Sequence, residues 1–177
     1  LEAMATLQAA LKRGIEMTFQ IEESELVVEP LPKSDERRAL LFYEAAEGGA
    51  GVLTRLANNR DDLALVASNA LQLIHYRKPQ SGIWTLDDLP SLEQTDALGN
   101  HQCEAGCYQC LLTYFNQPDH EHINRRNADA LKLLVALANA QVQPVTSSPA
   151  AAVSTAPVGE PLDAWLSALS QAGAVQP

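Results

Sequence analysis

The ten residues 101–110 constrain the fold of this chain more than any other stretch, because they contain all three cysteines and one of the four histidines. The cysteines are Cys103, Cys107 and Cys110. In structural sites Zn²⁺ takes four tetrahedral ligands, drawn mainly from thiolate and imidazole groups. Three thiolates and one imidazole would fill that shell and exclude water. The cluster therefore predicts a structural zinc ion rather than a catalytic one.

Three other interpretations of the cysteines explain less of the pattern. Three cysteines cannot all pair in disulfides, which argues against an oxidised framework. A thioredoxin-type redox pair could use Cys107 and Cys110, but it would leave Cys103 without a role. Buried, chemically inert thiols are the remaining interpretation.

The fourth zinc ligand has three candidates among the histidines. His101 lies two residues before Cys103 and completes the pattern His-x-Cys-x3-Cys-x2-Cys. His120 follows the cysteines, and His75 ends a predicted helix further upstream. We select His101 because it lies on the same loop as the cysteines, and His120 is the second choice.

Composition limits the class of protein. The chain has 177 residues, 46% of them hydrophobic, which is enough for one domain with its own core. Its 22 acidic and 12 basic residues give a net charge of −10. This balance argues against a free-standing, nonspecific nucleic-acid binder, because phosphate binding relies on Lys and Arg. No apolar run is long enough to predict a membrane span, and three reduced cysteines lead us to expect a cytoplasmic protein.

Apolar spacing predicts an α+β fold, in which a small sheet is flanked by helices and tied by a Cys3His zinc knuckle. The predicted elements are a helix over 1–20, strands over 24–31 and 38–44, a helix from about residue 61 that stops by residue 79, and a helix over 124–140. The two strands are expected to pair as a hairpin. The second is almost continuously apolar, which favours a central position in the sheet.

Composition also divides the chain. Residues 1–140 form the predicted domain. Residues 141–160 are rich in Ala, Pro, Ser and Thr and predict a flexible linker. Residues 161–177 predict a short helix and tail. Since the chain starts at Leu1 without an initiating Met, we expect it to be a segment of a larger protein.

A glycine-rich turn follows the second predicted strand at Gly48, Gly49 and Gly51. Glycines before a helix let backbone N–H groups approach an anion, which makes this a candidate anion-binding turn. No Lys-Ser/Thr pair follows, so it is not a nucleoside-triphosphate loop. Tight strand-to-helix packing explains the same glycines without a ligand.

Several motifs together resemble a known family. They are Leu11-Lys-Arg-Gly-Ile15, Glu44-x3-Gly48-Gly49-x-Gly51 and the cysteine run that ends in Cys110-Leu-Leu. This order resembles the C-terminal zinc-binding (MZB) domain of MrfA-like superfamily 2 helicases. The run from Cys107 to His120 is most similar to the branch found in bacterial antiphage systems of the DISARM type, with Druantia as the second choice. That family usually has a cysteine where His101 stands here.

The resemblance implies a helicase accessory domain without ATPase activity of its own, in a parent that is an ATP-dependent helicase or helicase-like protein. Its expected roles are to brace the motor and to contribute to a DNA path. The candidate nucleic-acid contacts are Lys12, Arg13, Arg125 and Arg126. No membrane partner is expected.

Two other classes of function remain open. A protein-interaction module that recruits another subunit of a defence complex would suit the acidic balance and the apolar helix faces. A hydrolase using Glu44, Glu47, Asp119 and His120 would need an open metal position, which a filled Cys3His shell does not offer.

Overall fold

The computed structural model of the protein describes residues 1–46, 48–94 and 103–142. In chain order its elements are α1 (Glu2–Phe19), β1 (Leu26–Leu31), β2 (Ala39–Glu44), α2 (Val52–Asn58), α3 (Asp62–Leu73), α4 (Leu89–Leu92), the 3₁₀ helix Tyr114–His122 and α5 (Ala128–Ala138). Helices and a small antiparallel sheet are both present, which confirms the predicted α+β class.

Helices α1, α3 and α5 pack against one another around the apolar core. The predicted stripe of α1 contributes Leu7, Leu11 and Ile15, which are all buried. Gly14 lets α1 approach α3 closely, since a Cβ at this position would stand 2.7 Å from the Val66 carbonyl oxygen. The same core includes residues of the hairpin and of the cysteine loop, so the three helices support both.

Strands β1 and β2 form the predicted antiparallel hairpin, with Val28 opposite Phe42. Leu26 and Val28 on the inner face of β1 are buried. The prediction of a central second strand is wrong, because the sheet within the described residues has two strands only. Exposure alternates along β2, so that Leu41 and Tyr43 face solvent although both are apolar enough for an interior position.

A local polar contact shifts the start of one predicted helix. Helix α5 starts at Ala128, not at residue 124, because the Asn127 side chain accepts the Ala130 N–H at 3.0 Å and caps the helix. Pro118 lies inside the 3₁₀ helix Tyr114–His122, and the backbone of that segment departs from helical geometry at Asn116.

The connection after α3 is anchored by Trp84. Its side chain is 2% exposed, and its indole N–H donates to Ser68 Oγ at 3.0 Å. The Asn139 amide bonds both the N–H and the carbonyl of Trp84, at 3.1 and 2.7 Å. These bonds satisfy polar groups that would otherwise be buried without partners.

Some predictions fall on residues that the structure does not describe. Almost all of the predicted linker and the whole tail helix lie in residues 143–177, outside the described part. Their boundaries, and the expected cytoplasmic location, stay predictions. Within the described ranges, no helix has both the length and the apolar character needed to cross a membrane.

Candidate metal centre

Four side chains with metal-binding donor atoms converge in the described part of the chain: His75, Cys103, Cys107 and Cys110. One ligand atom from each lies within 4.8 Å of the others. Cys103 and Cys110 are buried, and Cys107 is half-buried. The cluster joins His75, two residues after the end of α3, to a loop that begins at Cys103, 28 positions later.

The separations of the donors fit a tetrahedral zinc ion. Zn–S bonds near 2.3 Å and Zn–N bonds near 2.0 Å imply Sγ–Sγ distances of about 3.8 Å and Sγ–N distances of about 3.5 Å. Cys110 Sγ lies 3.7 Å from Cys103 Sγ and 3.5 Å from Cys107 Sγ. Cys107 Sγ lies 3.5 Å from His75 Nε2. The residues therefore fit Zn²⁺ in a closed Cys3His shell.

His75 reaches the thiols because of an unusual backbone conformation at the end of α3. Its N–H donates to the Gln72 carbonyl, and the Tyr76 N–H donates to the Leu71 carbonyl, both at 3.1 Å. These two hydrogen bonds form a Schellman motif, in which the residue with the left-handed backbone is usually glycine. His75 occupies that position with φ of 72°. A strained non-glycine residue at this point is typical of a functional site.

The cysteine loop forms a knuckle that preorganises its three thiols. The Cys110 N–H and the Leu112 N–H both donate to the Cys107 carbonyl at 3.0 Å. In return, the Cys107 N–H points at Cys110 Sγ, 3.2 Å away. Backbone N–H groups aimed at a sulfur stabilise its thiolate form, which is the form that binds metal.

Burial shapes the acid–base chemistry of the thiols. It raises the pKa of the Cys110 thiol to about 12, and it also raises the pKa of Cys103. Without a metal both groups therefore remain protonated at neutral pH. Zinc binding would release these protons, because only the thiolate binds.

The structure brings His75, the third candidate of the sequence, to the cysteines. His101 lies outside the described residues, so its selection as fourth ligand stays a prediction. His120 is engaged elsewhere, since its Nε2 lies 3.0 Å from the Thr113 carbonyl oxygen and 2.9 Å from Asn116 Oδ1. The sequence signal for His75 was a histidine where a helix end usually has glycine.

Arg125, predicted as a nucleic-acid contact, has a structural role. It is 2% exposed, and its guanidinium bonds the backbone carbonyls of Ile74 and Cys103 and the carboxylate of Glu93. A buried guanidinium with these partners has no free face for a phosphate. The predicted phosphate contact does not fit this burial.

The other predicted contacts lie nearer the surface but already have partners. Lys12 and Arg13 share the buried Glu16 carboxylate, at 2.7 and 3.0 Å. Arg13 also bonds the Cys110 carbonyl at 3.3 Å. Arg126 pairs with Glu93 at 2.9 Å, and half of its side chain is exposed. Contacts of these three residues with nucleic acid stay predictions.

The glycine-rich turn has an anion of its own. Glu44 accepts the N–H groups of Gly51 and Leu53, at 2.9 and 3.0 Å, at the start of α2. These bonds lower the pKa of Glu44. A Cβ at Gly49 would overlap the same carboxylate. The predicted anion-binding turn at Gly48, Gly49 and Gly51 thus packs around a side chain of this chain.

The residues considered for a hydrolytic site have separate partners. Glu44 caps the start of α2, Asp119 forms an ion pair with Arg37, and His120 bonds the Thr113 carbonyl. Glu47 lies outside the described residues. The one group of donors close enough to hold a metal, within the described ranges, is the Cys3His cluster.

Comparison with known proteins agrees with this chemistry. A family model described as the MrfA Zn-binding domain, MZB, matches residues 7–111. The matched range contains α1 from Leu7 onward, the hairpin, the glycine turn and all four clustered donors. No curated protein and no solved structure matches the chain.

Proposed function

Because the chain belongs to the MrfA zinc-binding (MZB) domain family, we propose that it braces the motor of a helicase-like parent protein and contributes to its DNA path. One observation carries the proposal: the Cys3His cluster joins the end of α3 to the loop that leads into the 3₁₀ helix. A metal with a closed shell at that junction would stabilise tertiary structure and would not activate water.

The bracing role follows from what the cluster connects. The residues 103–110 belong to no helix or strand, and Cys103 and Cys110 are nevertheless part of the apolar core. Structural zinc supplies stability to such irregular segments, about 10–16 kcal/mol in zinc-finger peptides. The zinc-bound domain would therefore present a rigid surface to the neighbouring parts of the parent.

A DNA-facing surface is supported by exposed aromatic residues beside the knuckle. Tyr108, Tyr114 and Phe115 are each more than two-thirds exposed. Tyr108 packs against the His120 ring, and Tyr114 packs against Phe115. Aromatic side chains combined with cations are typical of single-stranded DNA surfaces, where each stacked base contributes about 1–3 kcal/mol. We assign Arg126, Lys12 and Arg13 as the cationic contacts.

Fluorescence anisotropy with a labelled single-stranded oligonucleotide tests this surface. We expect weak binding that falls steeply between low and high salt. Arg126→Ala should reduce the slope of log affinity against log salt by about 0.7, the value for one phosphate contact on a single strand. Phe115→Ala should weaken binding with little change in that slope.

Lys33→Ala is the matched control, since Lys33 is an exposed cation in the β1–β2 connection. It should leave binding unchanged. Binding that is indifferent to salt, to Arg126→Ala and to Phe115→Ala would contradict the proposed DNA path.

A second candidate function is recruitment of another subunit. A cavity of about 390 Å³ lies between α1, β1 and the 3₁₀ helix, with Ala9, Leu26 and Phe115 among its lining residues. The net charge of −10 suits a protein partner better than a nucleic acid. Retention of a subunit encoded beside the parent, lost on Ala9→Trp, would favour recruitment. Retention of none would count against it.

The parent is proposed to be an ATP-dependent helicase of an antiphage system, with DISARM as the first choice and Druantia as the second. The support is the likeness of the run from Cys107 to His120 to the DISARM-like branch. Deleting the parent gene from its host should raise phage plaque counts. Unchanged counts across a phage panel would contradict the defence role and leave the zinc site unaffected.

A further inference from the structure

One buried guanidinium joins the two segments that carry the clustered donors. Arg125 Nε donates to the Cys103 carbonyl at 2.7 Å, and its Nη1 donates to the Ile74 carbonyl at 3.2 Å. Ile74 directly precedes His75. The Arg125 backbone N–H also donates to the Ala105 carbonyl at 2.7 Å. Arg125 therefore contacts the helix end on one side and the cysteine loop on the other.

The same guanidinium is neutralised within the fold. Its Nη2 forms an ion pair with Glu93, which also accepts Arg126. Burial raises the pKa of Glu93, but the hydrogen bonds from Arg126 and Arg125 outweigh it and the pKa is lowered. Glu93 pairs with Tyr76 in an isolated antiparallel bridge, and Tyr76 directly follows His75. A charge so buried would be costly without this partner.

We infer that Arg125 is a positioning residue of the metal centre, which sets the separation of His75 from the cysteine loop. The inference rests on the proposed function, because it requires that the Cys3His cluster binds zinc. Three donor atoms of one planar group fix Cys103, Ile74 and Glu93 at once. The ammonium of lysine has a single donor atom and cannot reproduce that geometry. A Cys3His–zinc unit is formally anionic, so the positive charge of Arg125 also favours it.

The test measures zinc affinity of the 177-residue chain by competition with a chromophoric chelator. Arg125→Met removes both the positive charge and the planar group of donors, and Arg125→Lys keeps the charge alone. We expect a loss of affinity of about 10–100-fold for Arg125→Met, as for other residues that orient metal ligands. Arg125→Lys should recover only a small part of this loss.

One further measurement and one control variant separate positioning from general stability. Co²⁺ substituted for zinc reports ligand geometry by its visible absorption, and this spectrum should change in both Arg125 variants. Arg126→Met is the matched control, because Arg126 binds the same Glu93 carboxylate. It should cost at most about fivefold in affinity, the range of an exposed ion pair, and it should leave the cobalt spectrum unchanged.

The outcomes are distinct. Wild-type zinc affinity in a folded Arg125 variant would overturn the inference. If Arg125→Met does not fold, the affinity and cobalt spectrum of Arg125→Lys decide. Failure of both variants to fold at saturating zinc would also overturn it, since Arg125 would then be a core residue irrespective of the metal. Absence of zinc binding by the unaltered chain would instead contradict the proposed function itself.

Discussion

Replacing His75 by glycine is expected to destabilise the zinc-bound domain strongly but not to destabilise the zinc-free domain. His75 is in the left-handed conformation that glycine adopts freely, and it contributes the imidazole of the cluster. The substitution therefore relieves backbone strain and removes a ligand at the same time. The two effects separate when the metal is removed.

The magnitudes follow from these two roles. A left-handed backbone costs a non-glycine residue about 1–2 kcal/mol, and the greater freedom of glycine in the unfolded chain takes back about 0.5–1 kcal/mol. Without zinc, His75→Gly should thus be as stable as the unaltered chain, or up to about 1.5 kcal/mol more stable. With saturating zinc, a roughly 1,000-fold loss of affinity would lower the free energy of unfolding by about 4 kcal/mol.

Urea unfolding at 25 °C, once with EDTA and once with excess zinc, measures both terms. Gln20→Gly is the matched control, because Gln20 also has a left-handed backbone, with φ of 55°, at the end of α1. It should shift the free energy of unfolding equally in both buffers. A loss of stability for His75→Gly that is the same size with EDTA and with zinc would refute the reasoning.

Three other substitutions probe the fold. Gly14→Ala should lower the free energy of unfolding by up to about 2 kcal/mol in urea, because overpacking against the Val66 carbonyl costs about 1–3 kcal/mol and helix propensity returns about 1 kcal/mol. Gly106→Ala, whose Cβ would meet Leu112 at 3.4 Å, should cost less, and equal losses would contradict the close-approach argument. Glu44→Gln should lower the melting temperature at pH 7. The pKa of Glu44 in the folded protein is lowered from 4.5. Its contribution to stability is therefore complete above pH 4.5 and disappears as pH falls through the folded pKa. A difference in melting temperature that persists below that pKa would contradict this role.

Local patterns predicted the parts of the fold that local physics determines. The stripe of α1 and the hairpin both follow from the period of apolar residues, and α1 and both strands form within two residues of their predicted ends. The three clustered cysteines likewise indicated zinc, because their spacing alone nearly completes the ligand set. These features depend on neighbours within a few positions.

Contacts between distant segments were beyond the same reasoning. His75 was ranked below nearer histidines because closeness in sequence was the available guide, yet a helix end and a loop meet through tertiary packing. Arg125 has the composition of a surface cation, and only the fold shows that Glu93 and two carbonyls surround it. In β2, apolar residues on the solvent face suggested burial that the two-stranded sheet does not provide.

The capped turn between β2 and α2 has a consequence for how this sequence can vary. The Glu44 carboxylate fills the space that a side chain at residue 49 would need. The residue types allowed at the two positions therefore depend on each other. A relative without the Glu44 carboxylate has room for a side chain at position 49. A relative that gains a side chain at position 49 while it still has the acid would have a steric clash until the acid is replaced. Glu44 and Gly49 are therefore expected to co-vary across the family, as a pair whose two members change in a preferred order.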